Sequence, residues 1–565
     1  MTSLLRFSRP AVWCLLAVPL LAFAWLLYAY ALNVPWYDDI EAFVGFMASY
    51  RQATTASEKL YWLLKPNNEH RIFFAKLTAV ATTGLTGELN FRTLILVGGV
   101  FLLGTLGLLL RVLRWQRALP LVLFAPVPFL LLQPQYHLTS LWAITSLQHI
   151  AVTFFMLCGF WALANWRSTG RFWLAVGLQT GAALSMSTGL FGWIAGAGLL
   201  FVQRRWAKLA IWSIVGAAVI AFYFHDFTSP QGNESSVSFF LKHPHLVFFG
   251  FFTFIGGLFD FLPTQPILWR SVLPTLAGMM MVSATVYRLG RQNWLRPERG
   301  AEPALLRQRY FFLGMYGFLL INAAAIGFLR PRFGYEVMLV SNYMLYPPLW
   351  VCLLYLHWVC EQRPPAHHRS LTIGLLGGVL VWAVSYNLHW PAVHERRQRL
   401  LAYAFDQRNN GAGLAGTLGT PLADYIDKQM RGAVDGGYYH YPAVHAALPD
   451  SLLKRPAQST APFEARPATV VEQPTQYPIE LLPNVPFAAR NPTFLLLQSE
   501  QHTYLLANQA PLRLISFALN RPVVAAKADA LKSILWPGQY RLGWVTVVDG
   551  EPQIRYTGQM LSVTQ

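Results

Sequence analysis

The sequence predicts a polytopic α-helical membrane protein that ends in a soluble, α/β-rich module. Three observations carry that class. Hydrophobic residues make up 54% of the 565-residue chain and charged residues only 12%, about half the charged share of an ordinary soluble protein. Apolar runs of spanning length recur from residue 10 to about residue 390 and then stop. Beyond that point Pro, Gly and Gln become frequent and short alternating apolar stretches follow.

The elements follow from length and charge. A span needs about 20 apolar residues, and Lys and Arg collect on its cytoplasmic side. Arg6 and Arg9 precede the first run, residues 10–32, so the N-terminus is expected inside and residues 33–88 form a first outer loop. That run is long for a signal peptide and has no small-residue cleavage site, so it reads as a retained span. Residues 40–53 and 56–80 read as two amphipathic interfacial helices. Further spans are expected at 89–110, 118–133 (broken by Pro126 and Pro128), 141–164 with Gln148 and His149 inside it, and 172–187. A sixth descends to Arg204, Arg205 and Lys208, and a seventh rises to His225-Asp226. The last four are expected near 270–287, 310–328, 343–360 and 371–390, which makes eleven.

Residues 245–262 are apolar enough to span. A span there would put the arginines from Arg288 to Arg309 outside, against the charge rule. They are therefore read as re-entrant or interfacial. The short outer loops 134–140 and 186–189 carry no Lys or Arg. The net charge of +18 is thus mostly a topology signal, and nucleic acid is rejected as a partner. The four cysteines, Cys14, Cys158, Cys352 and Cys360, all fall in apolar spans, so no disulfide framework is expected.

Residues 391–565 read as a separate domain outside the membrane: helical over 391–442, linker or extended over 443–492, and β over 493–565. Phe494–Leu497 and Tyr504–Leu506 flank a polar turn. Tyr540–Val548 and Gln553–Tyr556 flank Asp549-Gly550, a hairpin signal.

The densest ionisable group near a membrane boundary lies in the first outer loop. Asp38 and Asp39 follow the first span by a few residues. Adjacent carboxylates repel and are tolerated where water, a cation or a basic ligand compensates. Helix capping is the plainer reading; it explains one Asp and leaves the second. The loop ends in Asn68-Glu69-His70-Arg71, where Arg71 could hold a phosphate and His70 could donate to one. Solvated charges on an interfacial helix are the alternative. Arg330 and Arg332 follow the 310–328 span and are either phosphate ligands or headgroup anchors. A satisfied core histidine is the first reading of His149.

The acidic pair outside a first span, the long first outer loop and the many later spans resemble the GT-C class of integral-membrane glycosyltransferases. The similarity is closer to bacterial multi-spanning members with an Asn-Glu-His-Arg segment, matched here by Asn68 to Arg71. Arg332-Phe-Gly followed by Ser341-Asn-Tyr343 resembles a late loop of that group, with Asn342 where the group often has Arg. The resemblance covers roughly residues 10–390. It implies transfer of a sugar from a polyprenyl-phosphate carrier to a glycan or lipid acceptor of the cell envelope, at the outer face of the cytoplasmic (inner) membrane. Asp38 or Asp39 would be the catalytic carboxylate. Glu69, His70, Arg71, Arg330, Arg332 and Tyr343 would bind donor phosphate or substrate. A divalent cation could sit on Asp38 and Asp39, although two ligands do not define a site. No P-loop, GxGxxG after a strand, HExxH, CxxC or GxSxG competes. A transporter or flippase of lipid-linked saccharide, or a non-catalytic scaffold with an outer binding domain, are the other classes the pattern allows.

Overall fold

The computed structural model describes residues 8–68, 70–116, 119–165, 167–226, 234–292, 302–362, 366–442, 468–484, 486–549 and 551–564. The chain divides into two compact units. The first comprises residues 1–29, 63–78 and 95–388, the second 30–62, 79–94 and 389–565.

The first unit is helical. Among the described residues, eight helices in the chain are long and apolar enough to cross a membrane, or up to ten if each of two bent pairs counts as one span. Of the eleven expected spans, three fall short of that length. The 118–133 run is Leu121–Leu131, the first half of a pair bent against Pro134–Ser140; the break falls at Leu132-Gln133, just ahead of Pro134, which has no backbone donor. The next two are the 15-residue helix Thr169–Ala183 and the 12-residue helix Phe191–Val202, parted by the turn around Ser187–Leu190. Residues 245–262 are ambiguous for a physical reason. Helix Pro244–Ile255 has 12 residues, roughly 18 Å and too short to span, and it joins Ser236–Lys242 at a 106° bend. It packs on helix Ile267–Gly290 at backbone distance. A Cβ on Gly256 would stand 1.9 Å from the Pro274 carbonyl oxygen, and one on Gly278 1.9 Å from that of Phe252.

The 56–80 segment is not one helix. Helix Ala56–Leu64 stops before Pro66, and helix Phe73–Thr86 begins after a tight turn. The backbone of Asn67 and His70 exchanges two hydrogen bonds, 2.8 and 2.9 Å, with Asn68 at φ +49°. Asn adopts that left-handed conformation more readily than most residues.

Helix His367–Asn410 has 44 residues, roughly 66 Å, about twice the hydrocarbon thickness of a bilayer. The expected boundary near residue 390 therefore falls inside a continuous helix, and the two compact units divide there, between Leu388 and His389. Residues 392–408 are rich in Ala, Leu, Glu, Gln and Arg, strong helix formers that continue the helix past Pro391. It ends at Gly411, whose φ is +77°, the usual left-handed stop.

In the second unit, Asn33 ties three segments together. Its side chain donates to the His440 carbonyl at 2.8 Å and accepts from the Phe91 N–H at 2.8 Å, while the Tyr439 hydroxyl donates to the Asn33 carbonyl at 3.0 Å. Among the described residues the C-terminal module holds nine strands: β1 Thr469–Val470, β2 Gln476–Leu481, β3 Phe487–Ala488, β4 Thr493–Gln498, β5 Thr503–Ala507, β6 Pro522–Val523, β7 Ala526–Leu531, β8 Gly538–Val548 and β9 Glu551–Val563. They form three sheets, ordered β1-β2-β7, β3-β6 and β5-β4-β8-β9, with every pairing antiparallel. The two hairpins expected around 498–503 and 549–550 are present as β4–β5 and β8–β9; Gly550 lies outside the described residues. Strand β2 falls in the stretch expected to be linker. Tyr477, Ile479 and Leu481 bury one face at period two into the module core with Leu495, Leu497, Tyr540 and Trp544. The surrounding prolines mask that period.

Candidate functional site

In the second unit, Asp38 and Asp39 follow Tyr37, a non-glycine residue at φ +44°. That left-handed residue reverses the chain and separates the two aspartates by environment. Asp39 is buried at 1% exposure, and Asp38 is exposed. Asp39 sits at the N-cap position of the π-helical stretch Ile40–Gly45 yet makes no side-chain cap bond. Its Oδ2 instead accepts from the Trp36 N–H at 3.2 Å. Capping therefore does not account for Asp39. Partial desolvation by the surrounding chain raises the Asp38 carboxyl above its ordinary range.

The group facing Asp39 comes from the charged run His394-Glu395-Arg396-Arg397-Gln398-Arg399 on helix His367–Asn410. Arg396 lies within electrostatic range of Asp39, and its guanidinium carbon is 4.9 Å from the centre of the Trp36 ring. Its Nε is buried without a hydrogen-bond partner among the described residues. Arg397 lies in range of Tyr30 and of Arg92. His394 packs on Trp390 and Tyr30, with ring centres 5.2 and 6.2 Å apart. Arg399 is occupied by Glu395 one turn away. Arg396 is thus the cation placed beside Asp39, while Arg92 and Arg397 lie in range of each other. The sequence reading missed all three. The signal was available: four charged residues, Glu395, Arg396, Arg397 and Arg399, follow closely on the last apolar run, at the start of the stretch expected to be helical.

In the first unit, Arg71 is buried at 5% exposure and spends its fork on backbone. Nε donates to the Tyr223 carbonyl at 3.0 Å, Nη1 to Leu64 and Nη2 to His225. The guanidinium also covers the Phe222 ring at 4.4 Å. Arg71 is thus a clamp on the C-terminal end of helix Trp206–Phe224, satisfying carbonyls that a helix end leaves open. Glu69 lies outside the described residues. The Nδ1 of His70 meets the Tyr223 hydroxyl at 3.4 Å.

His70 and Arg330 both act electrostatically on His149. Arg330 lies 5.9 Å from the centre of the Tyr343 ring, and Tyr343 packs edge-on to His149 at 5.7 Å. His149 Nδ1 shares a 2.9 Å hydrogen bond with the Tyr346 hydroxyl. The structure therefore brings His70, Arg330 and Tyr343 together around His149, which the sequence reading had set aside as a core residue. Gln148 and His149 occupy a π-helical stretch, Ser146–Ile150; such stretches recur at functional sites. Arg332 points elsewhere, donating to the Glu234 carbonyl at 2.8 Å. Ser341 is a structural hub: its hydroxyl donates to the Gln135 carbonyl at 2.6 Å and accepts from the Leu138 N–H at 3.1 Å. A further acid is also occupied: Asp260 is held by both Nε and Nη2 of Arg270.

Among the described residues, no group of three or more His, Cys, Asp or Glu could hold a metal ion. No family model, curated protein or solved structure matches this chain.

Proposed function

We propose that this chain is a GT-C-type membrane glycosyltransferase. It moves a sugar from a polyprenyl-phosphate donor to a cell-envelope acceptor at the outer face of the cytoplasmic membrane. One observation carries the reading: Asp39 is a buried carboxylate that makes no cap bond and lies within electrostatic range of Arg396. Glycosyl transfer from a phosphate needs a carboxylate that positions or deprotonates the acceptor hydroxyl, and cations that take up charge developing on the leaving phosphate. Asp39 supplies the first, and Arg396 the second. Arginine suits phosphate through its planar fork. In the first unit, Arg330 stands beside His149 and His70 as a separate polar group with one fixed cation. Arg71 keeps a structural role in this reading.

A flippase of lipid-linked saccharide is the second reading, and Asn322 favours it. Asn322 lies inside helix Pro303–Leu329, is fully buried, and has neither side-chain atom hydrogen-bonded among the described residues. Polar groups at such depth mark substrate paths. The two readings separate in one experiment on purified protein in vesicles holding a polyprenyl-phosphate sugar. Sugar transfer lost in Asp39→Asn supports the transferase. Lipid scrambling or translocation without transfer, unchanged in Asp39→Asn, supports the flippase.

A further inference from the structure

One cavity of the second unit lies far along the chain from Asp39, in the β-module. It holds about 400 Å³, within the range of small-molecule sites. The β4–β5 turn forms one wall, the start of β8 another, and Met560 of β9 the third. The sheet register builds it: Gln498 pairs with Arg541, and Arg541 pairs with Met560, so the three stand in a row across β4, β8 and β9. The row is braced from within. The Tyr556 hydroxyl donates to Gln498 Oε1 at 2.6 Å, and the Arg541 guanidinium lies 5.6 Å from the Tyr556 ring centre. His502 lines the cavity and is backed by Trp536, the rings nearly parallel at 17° with centres 5.8 Å apart. The imidazole is also held through Nδ1 by Asn410 at 3.2 Å.

The chemistry of this lining narrows the ligand. Glu500 and Arg541 contribute one charge of each sign. Desolvation lowers the His502 pKa below its ordinary value, so the imidazole is neutral near pH 7. The cavity therefore carries no net charge, which disfavours a phosphate or a metal ion. What remains is a set of carboxamides and one guanidinium beside the apolar surfaces of Pro537 and Met560. A pyranose ring has the matching character, a rim of hydroxyls that both donate and accept and a face of C–H groups. Amides and arginine satisfy the rim, and the apolar patches cover the face.

We propose that the β-module cavity bounded by Gln498, His502, Gln539, Arg541 and Met560 is a binding site for one or two units of an uncharged saccharide. It is independent of the transferase reading, because no residue of the Asp39 cluster takes part.

The test uses the full chain in lipid nanodiscs, screened on an array of neutral mono- to tetrasaccharides, with bound glycans then titrated in solution. The variants are Arg541→Gln and Gln501→Ala, the second on an exposed turn where folding is not at stake. Arg541→Gln is expected to weaken binding by at least about tenfold, the effect of losing a charge-assisted hydrogen bond, at an unchanged melting temperature. Gln501→Ala is expected to weaken it less, in the same direction. Should the wild-type chain capture no neutral glycan, or should both variants bind as the wild type does, the proposal is overturned. Preferential capture of sulfated or uronic glycans overturns it too, since it shows a net positive site.

Discussion

Asp39 and Asp38 are neighbours in sequence with opposite surroundings, and that contrast makes single substitutions informative. Asp→Asn keeps shape while removing charge and basicity. If Asp39 is the acceptor's base, Asp39→Asn should lose about 10²–10⁴-fold in transfer rate, measured with a polyprenyl-phosphate sugar, and Asp38→Asn should lose little. Equal, near-wild-type rates for both would remove carboxylate catalysis from this loop. Asp38 has its own signature in stability. Its carboxyl pKa is raised in the folded chain, so folding favours its protonated form. That favourable contribution is complete at low pH and is lost as pH rises through the raised folded value. Asp38→Asn mimics the neutral form at every pH. Its melting temperature relative to wild type should therefore increase from acid toward neutral pH, and a flat difference would show that the group is not desolvated. The special character of this loop was legible in the sequence, because two adjacent acids after an apolar run are expensive. Which of the two is buried was not legible: it depends on the left-handed turn at Tyr37, a residue type with no preference for positive φ. Nor was the partner. Arg396 lies more than 350 positions away, and nothing local to either segment announces the pairing.

Two elements depend on side chains that reach across to backbone. The end of helix Trp206–Phe224 is closed by Arg71, which holds the Tyr223 and His225 carbonyls and reaches Leu64 as well. Lysine keeps the charge and loses the fork, so Arg71→Lys should cost about 1–3 kcal/mol of stability, seen as a lower melting temperature in detergent. A normal melting temperature with abolished transfer would return Arg71 to a substrate role. Strand β5 is the second case. It lies at one edge of its four-stranded sheet, where unpaired backbone invites further pairing. Helix His367–Asn410 covers that edge: Asp406 Oδ1 accepts from the Leu505 N–H at 3.0 Å, and Asn410 donates to the Thr503 carbonyl at 2.8 Å. Asn410→Leu removes the donor at the Thr503 carbonyl and should expose the edge, raising amide hydrogen exchange across residues 503–507. Asp406→Asn keeps an acceptor for Leu505 and should change exchange little. At this scale the sequence was most readable where period and turn chemistry agree, as in β4, β5, β8 and β9. It was least readable where one signal hid another, as the prolines hid β2 and as strong helix formers carried a helix through the expected boundary near residue 390.

Across the whole chain, parity decides which face each terminus occupies. The eleven-span reading places the ends on opposite sides of the membrane. The eight helices of full spanning length, if they alone crossed, would place both ends on one side. The difference rests on three weak segments: the bent pair at 121–140 and the short helices Thr169–Ala183 and Phe191–Val202. Length argues against each of them, since 15 residues of helix reach only about 22 Å. Charge argues for them, because Arg111 and Arg114 on one side and Arg204 and Arg205 on the other share a cytoplasmic face only if the intervening chain crosses an even number of times. A chain held between protein neighbours can cross with shorter helices and irregular backbone, and the 121–140 segment is almost wholly buried in protein, so the charge argument should prevail. The expected outcome is an outside β-module. In a chain whose four cysteines are replaced, Glu551→Cys, exposed at the start of β9, should react with a membrane-impermeant maleimide on intact cells, while Arg291→Cys should react only after the membrane is opened. The reverse pattern at Glu551 would place the β-module inside. It would also remove the outer-face chemistry proposed for Asp39, because both belong to the same compact unit.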